Sequence, residues 1–144
     1  MKKLIDTAKR IFLLLPAGML LFTACQESLE ERCARECKEY TKKKCPVLIA
    51  KDIYLDSLTF TPSNQLLSYY YTVEGVLDDA EFLKQRDFRG MLLKELKRST
   101  GDKLYKDAGY SFRYVYFSGK HKGTQLVEAT FHKSDYQPSN ATGQ

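Results

Sequence analysis

The stretch SFRYVYFSGKHKGTQLVEATFHK, residues 111–133, has the pattern of a β-hairpin. In both arms, 111–118 and 124–133, aromatic and apolar side chains alternate with polar ones, which is the period of a half-buried strand. Five residues that begin with Gly119 and end with Gly123 join the arms, a common length for a hairpin loop. The stretch therefore predicts two antiparallel strands.

A second hairpin is predicted upstream of a central helix. The first arm, 47–61, changes its apolar phase, which predicts a bulge near Asp56-Ser57. The second arm, 66–76, alternates cleanly after a Pro-Ser-Asn-Gln turn. A helix over 80–99 then follows, capped by Asp78 or Asp79. After it, Asp102 is expected to cap a short helical turn at 103–108.

The segment 26–44 reads as a helix with one narrow apolar stripe, and Pro46 ends it. Lys42, Lys43 and Lys44 lie at its negative C-terminal end, which favours basic side chains there. The predicted fold is α+β: an N-terminal helix and then ββαββ, with a four-stranded antiparallel sheet packed on one helix.

The N-terminus has the features of a secretory signal. Four basic residues precede an apolar run of twelve, Ile11 to Phe22, which is too short to span a bilayer as a helix. Phe22-Thr23-Ala24-Cys25 resembles a bacterial lipobox, which implies cleavage between Ala24 and Cys25 and acylation of Cys25. The alternative is an ordinary signal peptide with a coincidental cysteine.

These features divide the chain of 144 residues into four parts. They are a lipoprotein signal peptide at 1–24, the lipidated cysteine with an anchor or linker helix at 25–45, a single α+β domain at 46–136, and a disordered tail at 137–144. The signal carries four of the 23 basic and one of the 18 acidic residues. The net charge of +5 therefore falls to +2 after cleavage, which argues against nucleic acid as a partner.

Three cysteines follow Cys25 in the pattern C-x3-C-x7-C. In an oxidising envelope a disulfide is expected, with Cys37–Cys45 preferred and Cys33–Cys45 as the alternative. Zinc and iron–sulfur sites lack a fourth ligand and the usual spacing. We therefore expect neither a metal nor a cofactor.

Tyrosines are concentrated on two of the predicted strands: Tyr69, Tyr70, Tyr71, Tyr114 and Tyr116. A sheet face that displays such rings is suited to bind a protein, a peptide or a glycan. The alternative is that tyrosine simply favours strands and half-buries well.

Neither histidine, His121 or His132, lies in a catalytic motif, and P-loop, Rossmann, G-x-S-x-G and H-E-x-x-H patterns are absent from the sequence. We therefore expect a non-enzymatic, lipid-anchored protein of the bacterial envelope, at the outer membrane, that acts as an interaction module. The alternative is a small-ligand carrier or sensor with a pocket between helix and sheet, which a lining of Tyr69, Tyr71, Phe88 and Phe117 would favour. Self-association is left open.

Several features together resemble small Bacteroidetes-type envelope lipoproteins. They are the lipobox, the cysteine-bearing helix, Cys45-Pro46, and the stretches 55–58, 67–71 and 108–116. The resemblance implies a cystatin-like ββαββ core and transfers no catalytic residue. Asp56-Ser57-Leu58 also resembles an O-glycosylation site of such organisms, which implies modification of Ser57. Protease inhibition is not expected, because only Val73-Glu74-Gly75 matches the cystatin Gln-x-Val-x-Gly hairpin.

Overall fold

A computed structural model describes residues 27–137, in which a single five-stranded sheet is packed against helices. The strands are β1 (Val47–Ala50), β2 (Ile53–Thr61), β3 (Leu66–Val73), β4 (Ser111–Ser118) and β5 (Gln125–Phe131). The helices are α1 (Leu29–Lys44), α2 (Ala80–Lys84), α3 (Phe88–Arg98), α4 (Lys103–Asp107) and α5 (Lys133–Tyr136). None of these helices combines the length and hydropathy needed to cross a membrane.

The sheet runs in the order β1-β2-β3-β4-β5, and the α+β class is confirmed. The prediction of four antiparallel strands was wrong, because the sheet has five strands and β3 pairs with β4 in parallel. The chain leaves β3, crosses the sheet through α2, α3 and α4, and returns beside β3 in the same direction. Alternation of side chains fixes which face each residue occupies but not which strands pair, so the sequence did not reveal this crossover.

Two predicted elements are each divided in the structure. The single arm 47–61 becomes β1 and β2, joined by a turn in which Asp52 adopts a left-handed conformation with φ of 60°. The helix over 80–99 becomes α2 and α3, because Asp87 caps a new helix by accepting a hydrogen bond from the Gly90 N–H at 2.9 Å. The bulge at Asp56 is present: the register shifts between Leu55 and Ser57.

Helix α1 belongs to the core and is not a separate linker. Ser28 caps it, since its hydroxyl accepts the Glu31 N–H while the Glu31 carboxylate accepts the Ser28 N–H. Cys33 and Cys37 point into the same core as the sheet residues. Helices α3, α4 and α5 pack on the same face of the sheet as α1. Their ring contacts join Phe88 to Tyr116, Tyr105 to Tyr110 and Tyr136 to Phe112.

Candidate functional site

The predicted tyrosine surface is split between the two faces of the sheet. Tyr71, Tyr114 and Tyr116 are buried under the helices, and Tyr69 stacks on Tyr114 with ring centroids 5.2 Å apart. Tyr71 stacks on Tyr116 at 4.6 Å. The expectation of an exposed face formed by all five tyrosines is therefore corrected, because the helices cover the face that carries four of them.

Tyr70 alone among the five lies on the opposite face of the sheet, where it is half-buried. The guanidinium of Arg113 donates to the Tyr70 hydroxyl at 2.7 Å and to the Ser68 hydroxyl at 3.2 Å. Ser57 pairs with Tyr70 across the β2–β3 ladder and is half-buried. The predicted modification of Ser57 thus falls beside the Tyr70–Arg113 pair, and it stays a prediction.

A cavity of about 570 Å³ opens above the buried tyrosines. We call it the tyrosine groove; its floor is formed by Tyr71, Tyr114 and Tyr116. Its walls are formed by Ile49 of β1, by Leu92, Glu95 and Leu96 of α3, and by the turn 98–102. Of the four residues expected to line a pocket between helix and sheet, namely Tyr69, Tyr71, Phe88 and Phe117, the groove includes Tyr71 alone.

The floor combines apolar rings with hydroxyl groups. Burial raises the pKa of Tyr71, Tyr114 and Tyr116 above the ordinary tyrosine value, so all three hydroxyls stay protonated at neutral pH. None of the three hydroxyls has a hydrogen-bond partner within residues 27–137. The floor can therefore hold an apolar group against its rings and still offer hydrogen bonds to a bound molecule.

One wall is held rigidly by a buried lysine. The Lys106 ammonium donates to the main-chain carbonyls of Leu96, Lys97 and Ser99 at 2.7, 3.1 and 2.6 Å. These carbonyls end helix α3, where a positive charge is favourable. Lys106 therefore fixes the turn that forms one side of the groove.

Asp102 contributes a carboxylate to the same wall. Its carboxylate accepts hydrogen bonds from the Tyr69 and Ser99 hydroxyls, each at 2.6 Å. It lies close enough to the floor to help raise the pKa of Tyr71 and Tyr114, after burial. Glu95 and Arg98 also line the groove, so its wall places acidic and basic side chains beside neutral phenols.

The opposite rim is apolar and exposed. Ile49 of β1 exposes 49% of its surface, and Tyr40 of α1 exposes 42%. Tyr40 lies near enough to Tyr71 to contribute to its raised pKa. These two side chains extend the apolar surface of the groove, whereas Leu48 pairs with Tyr54 and lies on the opposite face of the sheet.

Sequence reasoning missed Ile49 and the turn 98–102 as site residues. The run Val-Leu-Ile-Ala at 47–50 was a signal for Ile49, because three consecutive exposed apolar residues are unusual in a short strand. The turn carried no such signal, since Asp102 read simply as a helix cap.

The predicted disulfides are not formed, and Cys33, Cys37 and Cys45 are free thiols. Helix α1 is continuous to Lys44, so at 1.5 Å per residue the Cα atoms of Cys37 and Cys45 lie about 12 Å apart, beyond the ~7 Å limit for a bridge. Cys33 is farther still from Cys45. Contact with Cys37 together with burial raises the pKa of Cys33, which keeps that thiol protonated.

Within residues 27–137, no group of three or more His, Cys, Asp or Glu side chains is placed to hold a metal ion. The predicted lipidation and cleavage site, Ala24-Cys25, the signal peptide at 1–24 and most of the tail lie outside the described residues.

Two solved structures are similar in fold. A "putative secreted protein" from Pseudomonas aeruginosa is 17% identical, with a TM-score of 0.59, covering 76% of this chain and 98% of that one. EpsS, a pilotin from the type 2 secretion system of Vibrio vulnificus, is 9% identical, with a TM-score of 0.51, covering 76% of this chain and 92% of that one. Neither is a cystatin, so the expected cystatin-like core is not confirmed.

No curated protein sequence matches the chain. A family profile described as a domain of unknown function, DUF8479, matches residues 28–127. This range is more than half of the chain, begins at the cap of α1 and includes every residue that lines the tyrosine groove. The chain therefore belongs to the DUF8479 family.

Proposed function

We propose that this protein is a non-enzymatic, lipid-anchored protein of the bacterial envelope that binds a segment of a partner protein in the tyrosine groove. The lipobox-like Cys25 supports the location, as does a fold shared with a pilotin and with a "putative secreted protein". The observation that carries the proposal is the groove: an aromatic floor, unpartnered hydroxyls and an exposed apolar rim on one continuous surface.

The apolar rim favours a protein segment over a compact ligand. Tyr40 and Ile49 lie along one side, and Tyr40 lies outside the cavity, so a short molecule in the cavity would leave Tyr40 exposed. Contiguous exposed apolar side chains beside a polar surface are typical of protein–protein contact sites. A longer chain would cover the floor and the rim together.

A small-ligand carrier is the second candidate, because one observation favours it. The volume of about 570 Å³ falls within the range of small-molecule pockets, and three hydroxyls face a bound molecule with apolar rings around them. Such a ligand would stay with the purified protein and be detected by native mass spectrometry.

Within residues 27–137, one side-chain pair brings a hydroxyl to an imidazole. Its surroundings support a structural role and not catalysis. Ser111 Oγ lies 2.9 Å from His132 Nδ1, as a hydrolytic pair would. The nearby Asp135 carboxylate, however, accepts from the His132 main-chain N–H and does not orient the ring. This is the arrangement of a cap on helix α5.

Two variants with equal exposure test the proposal. Ile49→Asp places a charge on the groove rim, whereas Met91→Asp places it on α3 outside the tyrosine groove; the two side chains are 49% and 48% exposed. After in-cell crosslinking, we expect a discrete partner with wild type and Met91→Asp and at least about tenfold less with Ile49→Asp. Equal recovery with all three proteins would contradict binding at the groove.

A further inference from the structure

Strand β1 presents an open sheet edge with an apolar surface. It pairs with β2 on one side, and within residues 27–137 no strand pairs with its other side. Leu48, Ile49 and Ala50 are exposed, and the strand contains no charged residue. An open edge of this kind has unpaired main-chain N–H and C=O groups that can pair with another chain.

The other edges of the sheet are blocked by side chains or helices. Where β2 extends past the end of β1, the Thr41 hydroxyl accepts the Leu58 N–H at 2.8 Å and donates to the Leu58 carbonyl at 3.1 Å. At the far edge, Arg89 donates to the Thr130 carbonyl of β5 at 3.0 Å, and α2 lies against the same strand. These two edges are therefore covered, whereas the outer side of β1 pairs with no strand within residues 27–137 and carries only a register shift between Leu48 and Ala50.

The edge of β1 is continuous with the tyrosine groove. Val47 is partly buried against the core, and Ile49 lines the groove wall, so this side of β1 leads onto the groove floor. A strand added to β1 would carry alternate side chains towards the same side. Its apolar side chains could then rest against the groove rim while its main chain pairs with β1.

The charges around β1 define the partner further. Lys44 and Lys51 flank the strand in the chain, and Lys42 precedes it in α1; all three are exposed and have no ion-pair partner within residues 27–137, while Asp52 follows Lys51. Lys43, by contrast, is paired with Glu39 at 2.9 Å. The helix dipole accounts for the position of the lysines at the end of α1 but leaves their charge unneutralised at the strand. A segment with acidic flanks would complement them.

We infer that the occupant of the groove is an extended segment of a partner protein, apolar at alternate positions and acidic at its flanks, which adds as a sixth strand to the free edge of β1. The inference rests on the proposed function, since it names how the partner is held. Main-chain hydrogen bonds to β1 hold the segment, the groove contacts its alternate side chains, and the lysines attract its acidic flanks.

A selection of random displayed peptides on the full-length protein in detergent tests this inference. We expect enriched sequences with β-branched or aromatic residues at every second position between Asp or Glu flanks. Enrichment of sequences with apolar residues at helical spacing, of basic sequences, or of none would overturn strand addition. The crosslinking comparison of Ile49→Asp with Met91→Asp is independent, so partner binding can stand while strand addition fails.

N-methylation of a selected peptide distinguishes strand pairing from simple burial. Methyl groups on the alternate amides that face β1 should weaken binding at least about tenfold, whereas methyl groups on the intervening amides should change it by less than about threefold. Equal effects at all positions would overturn the inference. The triple reversal Lys42→Glu, Lys44→Glu and Lys51→Glu should also weaken binding at low salt, unlike the control Lys84→Glu.

Discussion

Among single residues outside the groove, Lys106 stabilises the end of α3, because its ammonium donates to three main-chain carbonyls there. Lys106→Met keeps most of the side-chain volume but leaves these carbonyls without a donor. We expect the free energy of unfolding in urea to fall by about 2–3 kcal/mol. The control Lys103→Met removes an exposed ion pair with Asp107 and should cost less than about 1 kcal/mol; equal losses would contradict the role given to Lys106.

The buried core tyrosines limit the stability of the folded protein at alkaline pH. Burial raises the pKa of Tyr69, Tyr71, Tyr114 and Tyr116 in the folded state above their value in the unfolded chain. Their contribution to stability is therefore complete below about pH 10 and is lost as the pH rises further, by up to about 1.4 kcal/mol per pH unit for each tyrosine. Phenolate absorbance at alkaline pH should appear together with loss of the circular dichroism of the sheet; ionisation of all ten tyrosines in a folded protein would contradict this.

At the scale of elements, one hydroxyl joins α1 to the unprotected part of β2. Thr41→Val preserves shape but leaves both main-chain groups of Leu58 unpaired, so the free energy of unfolding should fall by about 1–3 kcal/mol. Thr59→Val, in the same strand but exposed, should change stability by no more than about 0.5 kcal/mol. If Thr41→Val behaves like Thr59→Val in thermal and urea unfolding, the hydroxyl does not secure this edge.

The elements also show what a sequence can and cannot predict. The faces of β3 and β4 and the bulge at Asp56-Ser57 followed from side-chain alternation, which depends on local backbone geometry alone. The break at Asp52 did not, because an aspartate in a left-handed turn carries no glycine or proline signal. The prediction of an exposed tyrosine surface was wrong for a different reason. Alternation identified the face that carries the tyrosines, but whether helices cover that face depends on tertiary packing.

At the scale of the whole molecule, the position of Cys25 relates the groove to the membrane. Only two residues separate Cys25 from the helix cap Ser28, a span of about 10 Å at full extension. Helix α1 has 16 residues and is therefore about 24 Å long. Tyr40 and β1 lie at its far end, so an acylated Cys25 would tether the start of α1 to the bilayer, and the groove would lie beside the untethered end of the helix.

Acylation of Cys25 is the last prediction, and it is tested in the intact chain. Cells fed an alkyne analogue of palmitate should label the wild-type protein and the control Cys45→Ser, because we expect acylation at Cys25 alone. Cys25→Ser should show no label, since serine has no thiol to form the thioether on which cleavage and amino-acylation depend. Two or more acyl chains give a durable anchor, at about 0.8 kcal/mol for each buried methylene. Label that persists in Cys25→Ser, or that disappears in Cys45→Ser, would place the anchor elsewhere and remove the argument that the start of α1 is the tethered end.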